Sequence, residues 1–225
     1  MAYWFIPRTL ADDGNIRNTY LAPGGRMIMR RSHNSTETQV YFTLRENSEE
    51  ASAVHRAPID NQKQFWASRF RDAGWQTDRF IEGMMTTSNF YSQEVVQVCT
   101  DTWHKGRVVL VGDAAHCASP FSGMGASGSL VGAYVLAGEI NGNSGDLSQA
   151  LTRYDQTLRP FVKEIQNVRP ALLRLGMPRA KVSIALFHAL GALACRLRLP
   201  ELIARFSSDR DGSWTLPQYE QATLK

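Results

Sequence analysis

The segment from Gly106 to Ile140, GRVVLVGDAAHCASPFSGMGASGSLVGAYVLAGEI, constrains this chain most, because it reads as strand, polar turn, glycine-rich loop and helix with one carboxylate at the strand's end. Arg107 to Val111 is a short, nearly continuous apolar run rich in valine, the pattern of a strand buried on both faces of a mostly parallel sheet. Asp113 falls just beyond its carboxyl end, where open α/β sheets bind their ligands. That layout suits a phosphorylated or anionic organic cofactor.

Gly123, Gly125 and Gly128 spell G-x-G-x-x-G, which taken alone suggests pyrophosphate on a helix N-terminus. The context argues against it. The fingerprint should follow its strand at once, yet Asp113 to Ser122 intervenes. The acidic residue expected about 20 positions on would be Asp146, which lies in the turn-like stretch NGNSGD with no second strand before it. The same physics has another use here. Small residues let a backbone approach a flat ring closely, and a helix starting near Gly125 aims its free N–H groups and positive dipole end at an electron-rich carbonyl or anion.

The run Trp103-His104-Lys105-Gly106-Arg107-Val108-Val109-Leu110-Val111-Gly112-Asp113-Ala114-Ala115-His116 is followed by Ser119-Pro120, Ser122-Gly123-Met124-Gly125 and Gly132-Ala133-Tyr134-Val135-Leu136-Ala137-Gly138-Glu139. Together they resemble the second flavin motif of the class A flavoprotein monooxygenases, in the style of the tetracycline-inactivating branch. The resemblance implies that Asp113 hydrogen-bonds the ribityl chain of FAD. It also implies that the loop from Pro120 to Ala126 lies against the isoalloxazine ring, its N–H groups facing the pyrimidine end. The implied cofactor-binding set is Gly112, Asp113, Pro120, Ser122, Gly123, Met124, Gly125 and Ala126, with no catalytic side chain, since flavin carries the redox step. The expected reaction reduces FAD with NADPH or NADH and transfers one oxygen of O2 to an aromatic or polycyclic small molecule.

The resemblance extends upstream through Ala22-Pro23-Gly24-Gly25-Arg26-Met27, Phe70-Arg71-Asp72-Ala73-Gly74-Trp75 and Phe90-Tyr91, similar to the family's substrate domain. Downstream, Tyr154-Asp155 and Leu158-Arg159-Pro160-Phe161-Val162 resemble its terminal helices. The βαβ unit that binds the ADP half of FAD in the family has no match in this sequence, so the expectation is a carboxyl-terminal portion of a family member. Asp13-Gly14 sits in the polar stretch ADDGN and reads as a hairpin turn, not the family's later Asp-Gly motif. Two alternatives follow: a flavin-free binding module that performs no redox chemistry, or a separate polypeptide that supplies the missing half.

With 225 residues and 43% hydrophobic content the chain has enough apolar material for a real core. Its net charge of +4 is interspersed, which speaks against a nucleic-acid partner. Cys99, Cys117 and Cys195 are odd in number, far apart and without metal-ligand spacing, predicting a reducing, cytoplasmic setting and no metal site. MAYWFIPRTLADD lacks the form of a secretion signal, so the N-x-T/S triplet at Asn34 carries no glycosylation expectation. Val182 to Cys195 is strongly apolar but shorter than a span of about 20 residues, and Arg196 and Arg198 follow it. It predicts a buried or partly interfacial helix, with membrane-surface contact as the lesser reading.

The fold class expected is α/β in the mixed α+β sense: a fragment of the two-domain FAD/NAD(P)-binding monooxygenase fold. Residues 1–100 form the antiparallel substrate-domain portion, 101–145 the flavin-contacting strand, loop and helix, and 146–225 a helical tail. Ala2 to Leu44 predicts a meander of about three strands whose edge walls a substrate pocket, and Ala51 to Ala57 a loop. Asp60 is expected to cap an amphipathic helix bearing Phe65, Trp66 and Phe70 that ends at Gly74. Further helices are expected over Asp78 to Met85, Gly125 to Ile140 and Leu147 to Asn167, with a strand over Phe90 to Thr100 whose partner is the strand at Arg107. Pro170, Pro178 and Pro200 punctuate the remaining helices, and the end from Ser207 reads as loop. Met84, Met85, Phe90 and Phe121 are candidates for an apolar pocket, though such residues more often form core. His116 and Cys117 read as packed groups, and Ser119 and Ser122 lack a nucleophile-elbow signature.

Overall fold

The computed structural model describes residues 1–9, 13–168, 170–201 and 214–219. These fall into two compact units, one built from Met1–Glu94 with the segment beginning at Pro170, the other from 95–168 with 214–219.

The first unit is an antiparallel sheet of β1 (Ala2–Pro7), β2 (Asn18–Ala22), β3 (Arg26–Ser32), β4 (Glu37–Leu44) and β5 (Phe90–Ser92), in the order β2-β3-β4-β1-β5. Alternation dictates its two faces. Trp4, Ile28, Val40 and Phe42 are fully buried on one face, against α2 (Ile59–Phe70) and α3 (Thr77–Thr86). Phe42 stacks on Phe70 at 4.1 Å and meets Trp4 edge-on at 4.8 Å, while Trp4 donates its indole N–H to the Phe80 carbonyl at 3.1 Å. A Cβ on Gly83 would collide with Ile6, so glycine there lets α3 lie close on β1. The opposite face carries a tyrosine row set by register: Tyr3 pairs with both Tyr41 and Tyr91, with ring centroids 5.5 Å and 5.2 Å away. The Arg31 guanidinium lies 5.5 Å over Tyr41.

Several expectations change in this unit. The meander is β2 to β4; β1 is a fourth strand lying between β4 and β5, so Asp13-Gly14 is not a hairpin turn between paired strands. Asp13 instead is fully buried and accepts from Arg30 at 2.7 Å, from Arg79 at 2.8 Å and from the Thr9 N–H at 2.6 Å. Glu49–Ala53 is a short helix, α1, rather than a loop, because the Ser48 hydroxyl accepts from the Ala51 N–H and Glu49 and Glu50 complement its N-terminal dipole. Pro58, with extended ψ, occupies the cap position of α2 and places Asp60 inside the first turn; the helix ends at Phe70, ahead of Gly74. The strand expected over Phe90 to Thr100 stops at Ser92 and pairs with β1, not with the run at Arg107.

The described carboxyl-side part of this unit comprises two helices, numbered by their place in the whole chain as α7 (Pro170–Gly176) and α8 (Lys181–Arg196). The Gly24 N–H donates to the Arg179 carbonyl at 2.8 Å and the Arg179 guanidinium donates to the Arg45 carbonyl at 3.3 Å, tying the start of α8 to the β2–β3 turn. Of the two states expected for this segment, a buried or a partly interfacial helix, the buried one is not found: α8 has no buried residue. No helix among the described residues is long and apolar enough to cross a membrane.

The second unit consists of the hairpin β6 (His104–Lys105) and β7 (Val108–Val109), the single turn α4 (Asp113–His116), and the long helices α5 (Gly125–Gly142) and α6 (Leu147–Ile165). Its core joins Trp103, Ala115, Val135, Tyr154, Leu158 and Val162. Asp146 caps α6 by accepting from the Gln149 N–H at 3.0 Å, which explains its place in the NGNSGD turn. Residues 214–219 lie along α5 and α6: the Trp214 indole donates to the Thr157 carbonyl at 2.9 Å, and the Tyr219 hydroxyl donates to Glu139 at 2.8 Å. Ser207 to Ser213, expected to be loop, lie outside the described residues.

Candidate functional site

The segment that opened the sequence reading is held by α6. Asp155 accepts from the Trp103 N–H at 3.2 Å, Tyr154 donates its hydroxyl to the Leu110 carbonyl at 3.2 Å, and Leu110 returns its N–H to Trp103 at 2.8 Å. Burial pushes the Tyr154 phenol up to about 12, so it stays a donor. Arg159 binds Asp155 one turn earlier, donates to the carbonyls of Thr100 and Asp101 at 3.0 Å each, and lies 4.4 Å over the Trp103 ring. The i,i+4 spacing of Asp155 and Arg159 was a readable sign of this ion pair. Its partners just ahead of the hairpin were not, since they lie more than 50 residues away.

β7 departs from the strand expected over Arg107 to Val111. It is two residues long and pairs, among the described residues, only with β6, antiparallel. Val108 is 68% exposed and Leu110 and Val111 are also exposed. A strand buried on both faces needs a neighbour on each side and layers above and below. A two-residue hairpin has neither.

Past β7 the backbone turns at Gly112, whose φ of 65° favours glycine, into α4, where the His116 N–H closes onto the Gly112 carbonyl at 2.9 Å. This turn presents Asp113 outward, exposed, while its neighbours Ala115 and His116 are buried. His116 is 2% exposed, edge-on to Trp103 at 5.3 Å, and its Nε2 has no hydrogen-bond partner. It packs against Gly132, where a Cβ would stand 2.7 Å from Nε2. Burial lowers its pKa, with its own backbone and Asp113 opposing. His116 is a packing residue, as its sequence context led one to expect, and burial favours its uncharged form. Burial raises the Cys117 thiol, reinforced by the Asp113 carboxylate, which argues against a reactive thiolate.

The glycine-rich loop is shaped by its own serines. Ser119 Oγ accepts from the Phe121 N–H at 3.3 Å, starting the single 3-10 turn Pro120–Ser122, and Ser122 Oγ accepts from the Met124 N–H at 3.1 Å. Gly123 ends the turn in the left-handed region at φ 68°. Met124 then stands at the N-cap of α5 without a side-chain hydrogen bond, and the first N–H bonded within the helix is that of Gly128, to Met124 at 2.7 Å. The amides of Gly125, Ala126 and Ser127 therefore have no acceptor within the helix. A Cβ on Gly125 would meet nothing within 4 Å, so open space faces the start of the helix.

Of the eight residues expected to bind cofactor, Gly112 and Asp113 lie on the turn after β7, and Pro120, Ser122, Gly123, Met124, Gly125 and Ala126 form the loop and first turn of α5. An exposed carboxylate, a loop with a left-handed glycine and an uncapped helix start with space before it fit the ribityl and pyrimidine parts of a flavin. The pocket candidates divide: Met84 is fully buried core, Phe90 is partly buried against that same core, and Met85 and Phe121 are exposed. Among the described residues no His, Cys, Asp and Glu cluster could hold a metal.

A family model described as FAD binding domain matches residues 7–167. The FAD-dependent monooxygenase asL6 of Sarocladium schorii is 34% identical over 209 residues, 93% of this chain and 49% of that protein. Monooxygenase CTB7 of Cercospora beticola is 36% identical over 172 residues, 75% of this chain and 41% of that protein. The solved tetracycline destructase Tet(51) is 30% identical with a TM-score of 0.68, and Tet(55) is 27% identical with a TM-score of 0.74; each likeness covers 97% of this chain and 54% of the other. The chain spans about half the length of the curated relatives it matches. By its sequence motif, its fold and these likenesses, the chain belongs to the FAD-binding-domain family of the flavin-dependent monooxygenases.

Proposed function

We propose that this chain carries the flavin-facing and substrate-facing parts of an FAD-dependent monooxygenase that hydroxylates an aromatic or polycyclic small molecule, using NADPH or NADH and O2. Bound FAD supplies the redox chemistry, taking electrons from the nicotinamide and delivering them to O2, so that one oxygen enters the substrate and the other leaves as water. The chain's own residues bind and orient. Asp113 accepts hydrogen bonds from ribityl hydroxyls. The free N–H groups of Gly125 and Ala126 serve the electron-rich pyrimidine edge, a preorganised site for negative charge. Pro120, Ser122, Gly123 and Met124 hold the backbone that faces the ring.

The observation that carries this reading is the uncapped start of α5 beside open space at Gly125, in the same segment as the exposed Asp113. The tyrosine row of Tyr3, Tyr41 and Tyr91, with Arg31 over Tyr41, supports an aromatic substrate, because such rings bind flat partners by offset stacking. Titration of FAD with the purified chain, followed by flavin fluorescence, tests the proposal. Binding is expected, and Asp113→Ala weakens it by roughly 10- to 100-fold, the worth of a charge-assisted hydrogen bond. No binding by the native chain, or unchanged affinity in the variant, overturns it.

A further inference from the structure

The turn that carries Asp113 is held at both ends. At its start, Gly112 takes its left-handed φ of 65° against α5, where a Cβ would stand 3.2 Å from the Ser129 hydroxyl, and Tyr154 holds Leu110 two residues earlier. At its end, the Cys117 N–H closes onto the Asp113 carbonyl at 3.3 Å. A helix of four residues is a single turn, which is unfavourable by itself, so α4 takes its shape from whatever fixes its ends.

Gln166, the residue at which α6 stops, fixes the Cys117 end. Its side-chain amide nitrogen donates to the Cys117 carbonyl at 3.1 Å and to the Val98 carbonyl at 2.8 Å, which uses both hydrogens. Its amide oxygen accepts from the Cys99 thiol at 3.7 Å, and its own carbonyl accepts from the Gln97 side chain at 2.9 Å. The Val98 N–H reaches the same Cys117 carbonyl at 3.2 Å, so that oxygen has both lone pairs engaged. One side chain at the end of a 19-residue helix thus joins the segment 97–99 to the turn of Asp113. The junction needs an amide: an alkyl side chain offers neither donor, and a carboxylate would face two carbonyl oxygens.

We propose that Gln166 is a positioning residue for the flavin: through the Cys117 carbonyl it fixes the turn from which Asp113 meets the ribityl hydroxyls. The inference rests on the reading of Asp113 as the ribityl acceptor. Gln166→Met keeps the length of the side chain and removes both donors. In the FAD titration it is expected to weaken binding by roughly 3- to 10-fold, the worth of about one neutral hydrogen bond. Because Gln166 acts through Asp113, the same change made on Asp113→Ala is expected to cost less than about twofold more. Thr157→Val removes a hydroxyl of the same helix that donates to Glu139 at 3.1 Å, and it leaves the affinity unchanged. In the flavin-free chain, hydrogen exchange of the His116 and Cys117 amides rises in Gln166→Met, while amides in the middle of α5 keep their native protection. Unchanged affinity in Gln166→Met, where Asp113→Ala does weaken binding, overturns the inference alone. So does an equal loss on both backgrounds, or exchange raised throughout α5, since either assigns Gln166 a general role in stability. No binding by the native chain, or an Asp113→Ala variant that binds as well as native, overturns the reading of the site and this inference with it.

Discussion

Asp13→Ala is expected to cost the first unit about 3 kcal/mol, near the lower end of what is lost when a buried ion pair is broken. The Asp13 side chain is fully buried, and its two cationic partners have side-chain exposures of 6% for Arg30 and 28% for Arg79. Removing the carboxylate leaves two guanidiniums facing each other across its place and strips the Thr9 N–H of its acceptor. The exposure of Arg79 lets water recover part of the cost, which is why the lower end applies. For a chain of this size about 3 kcal/mol corresponds to a fall in Tm of roughly 6–12 °C. Asp72→Ala is the control: Asp72 pairs with Arg26 at 2.5 Å but is 78% exposed, and such a pair is worth about 1 kcal/mol or less. Thermal denaturation followed by circular dichroism at neutral pH compares the two. Equal shifts would refute the argument, since burial would then not decide the worth of the pair. The pH dependence supplies a second check. Burial raises the Asp13 pKa, but Arg79, the Thr9 N–H and Arg30 outweigh it and hold the carboxyl well below the usual range. Its stabilisation is therefore complete above the unfolded value of about 4 and is lost as pH falls from there toward the depressed folded value. Asp13→Ala should show a flatter acid limb than the native chain.

Two further outcomes follow from the second unit. Gly132→Ala drives a methyl group to 2.7 Å from His116 Nε2, against a ring already wedged on Trp103, and should cost about 1–3 kcal/mol despite alanine's better helix propensity; Gly142→Ala, with nothing within 4 Å, should instead be neutral or stabilising by up to about 1 kcal/mol. Urea midpoints measure both, and a stabilising Gly132→Ala would sink the packing account. His116 has a folded pKa below its unfolded value of about 6.5, because burial disfavours the charged ring. The unfolded chain therefore binds the proton first, and stability falls as pH drops below about 6.5 toward the folded value. His116→Leu should shrink the loss of urea midpoint between pH 7 and pH 5, and an unchanged difference would show that His116 is not responsible.

The candidate site was legible as one segment because its residues are neighbours along the chain. Asp113, Pro120, Gly123 and Gly125 lie within one strand-turn-helix segment, and their meaning depends on backbone geometry that glycine, proline and serine impose over a few residues. The long helices were legible for the same reason: α5 and α6 extend close to the lengths their spacing predicted, and Asp146 caps α6 where the turn residues placed it. Shorter elements escaped. Ser48 and Pro58 each shift a helix boundary through a single cap, and the run at Arg107 shares its valine-rich composition with buried strands.

What the sequence by itself determined is therefore the carboxylate after β7, the glycine-rich approach to α5 and the family these imply, since each rests on neighbours along the chain. Tertiary structure decided the rest. Only strand order could bring Asp13 to Arg30 and Arg79, or set Tyr3 between Tyr41 and Tyr91. Only packing could show that His116 fills the space left by Gly132, and that Gln166 reaches Val98 and Cys117 from the end of α6. The physical reason is the same in each case: burial and pairing depend on residues far apart in the chain, and the local pattern of a helix or strand says which face is apolar without saying what covers it.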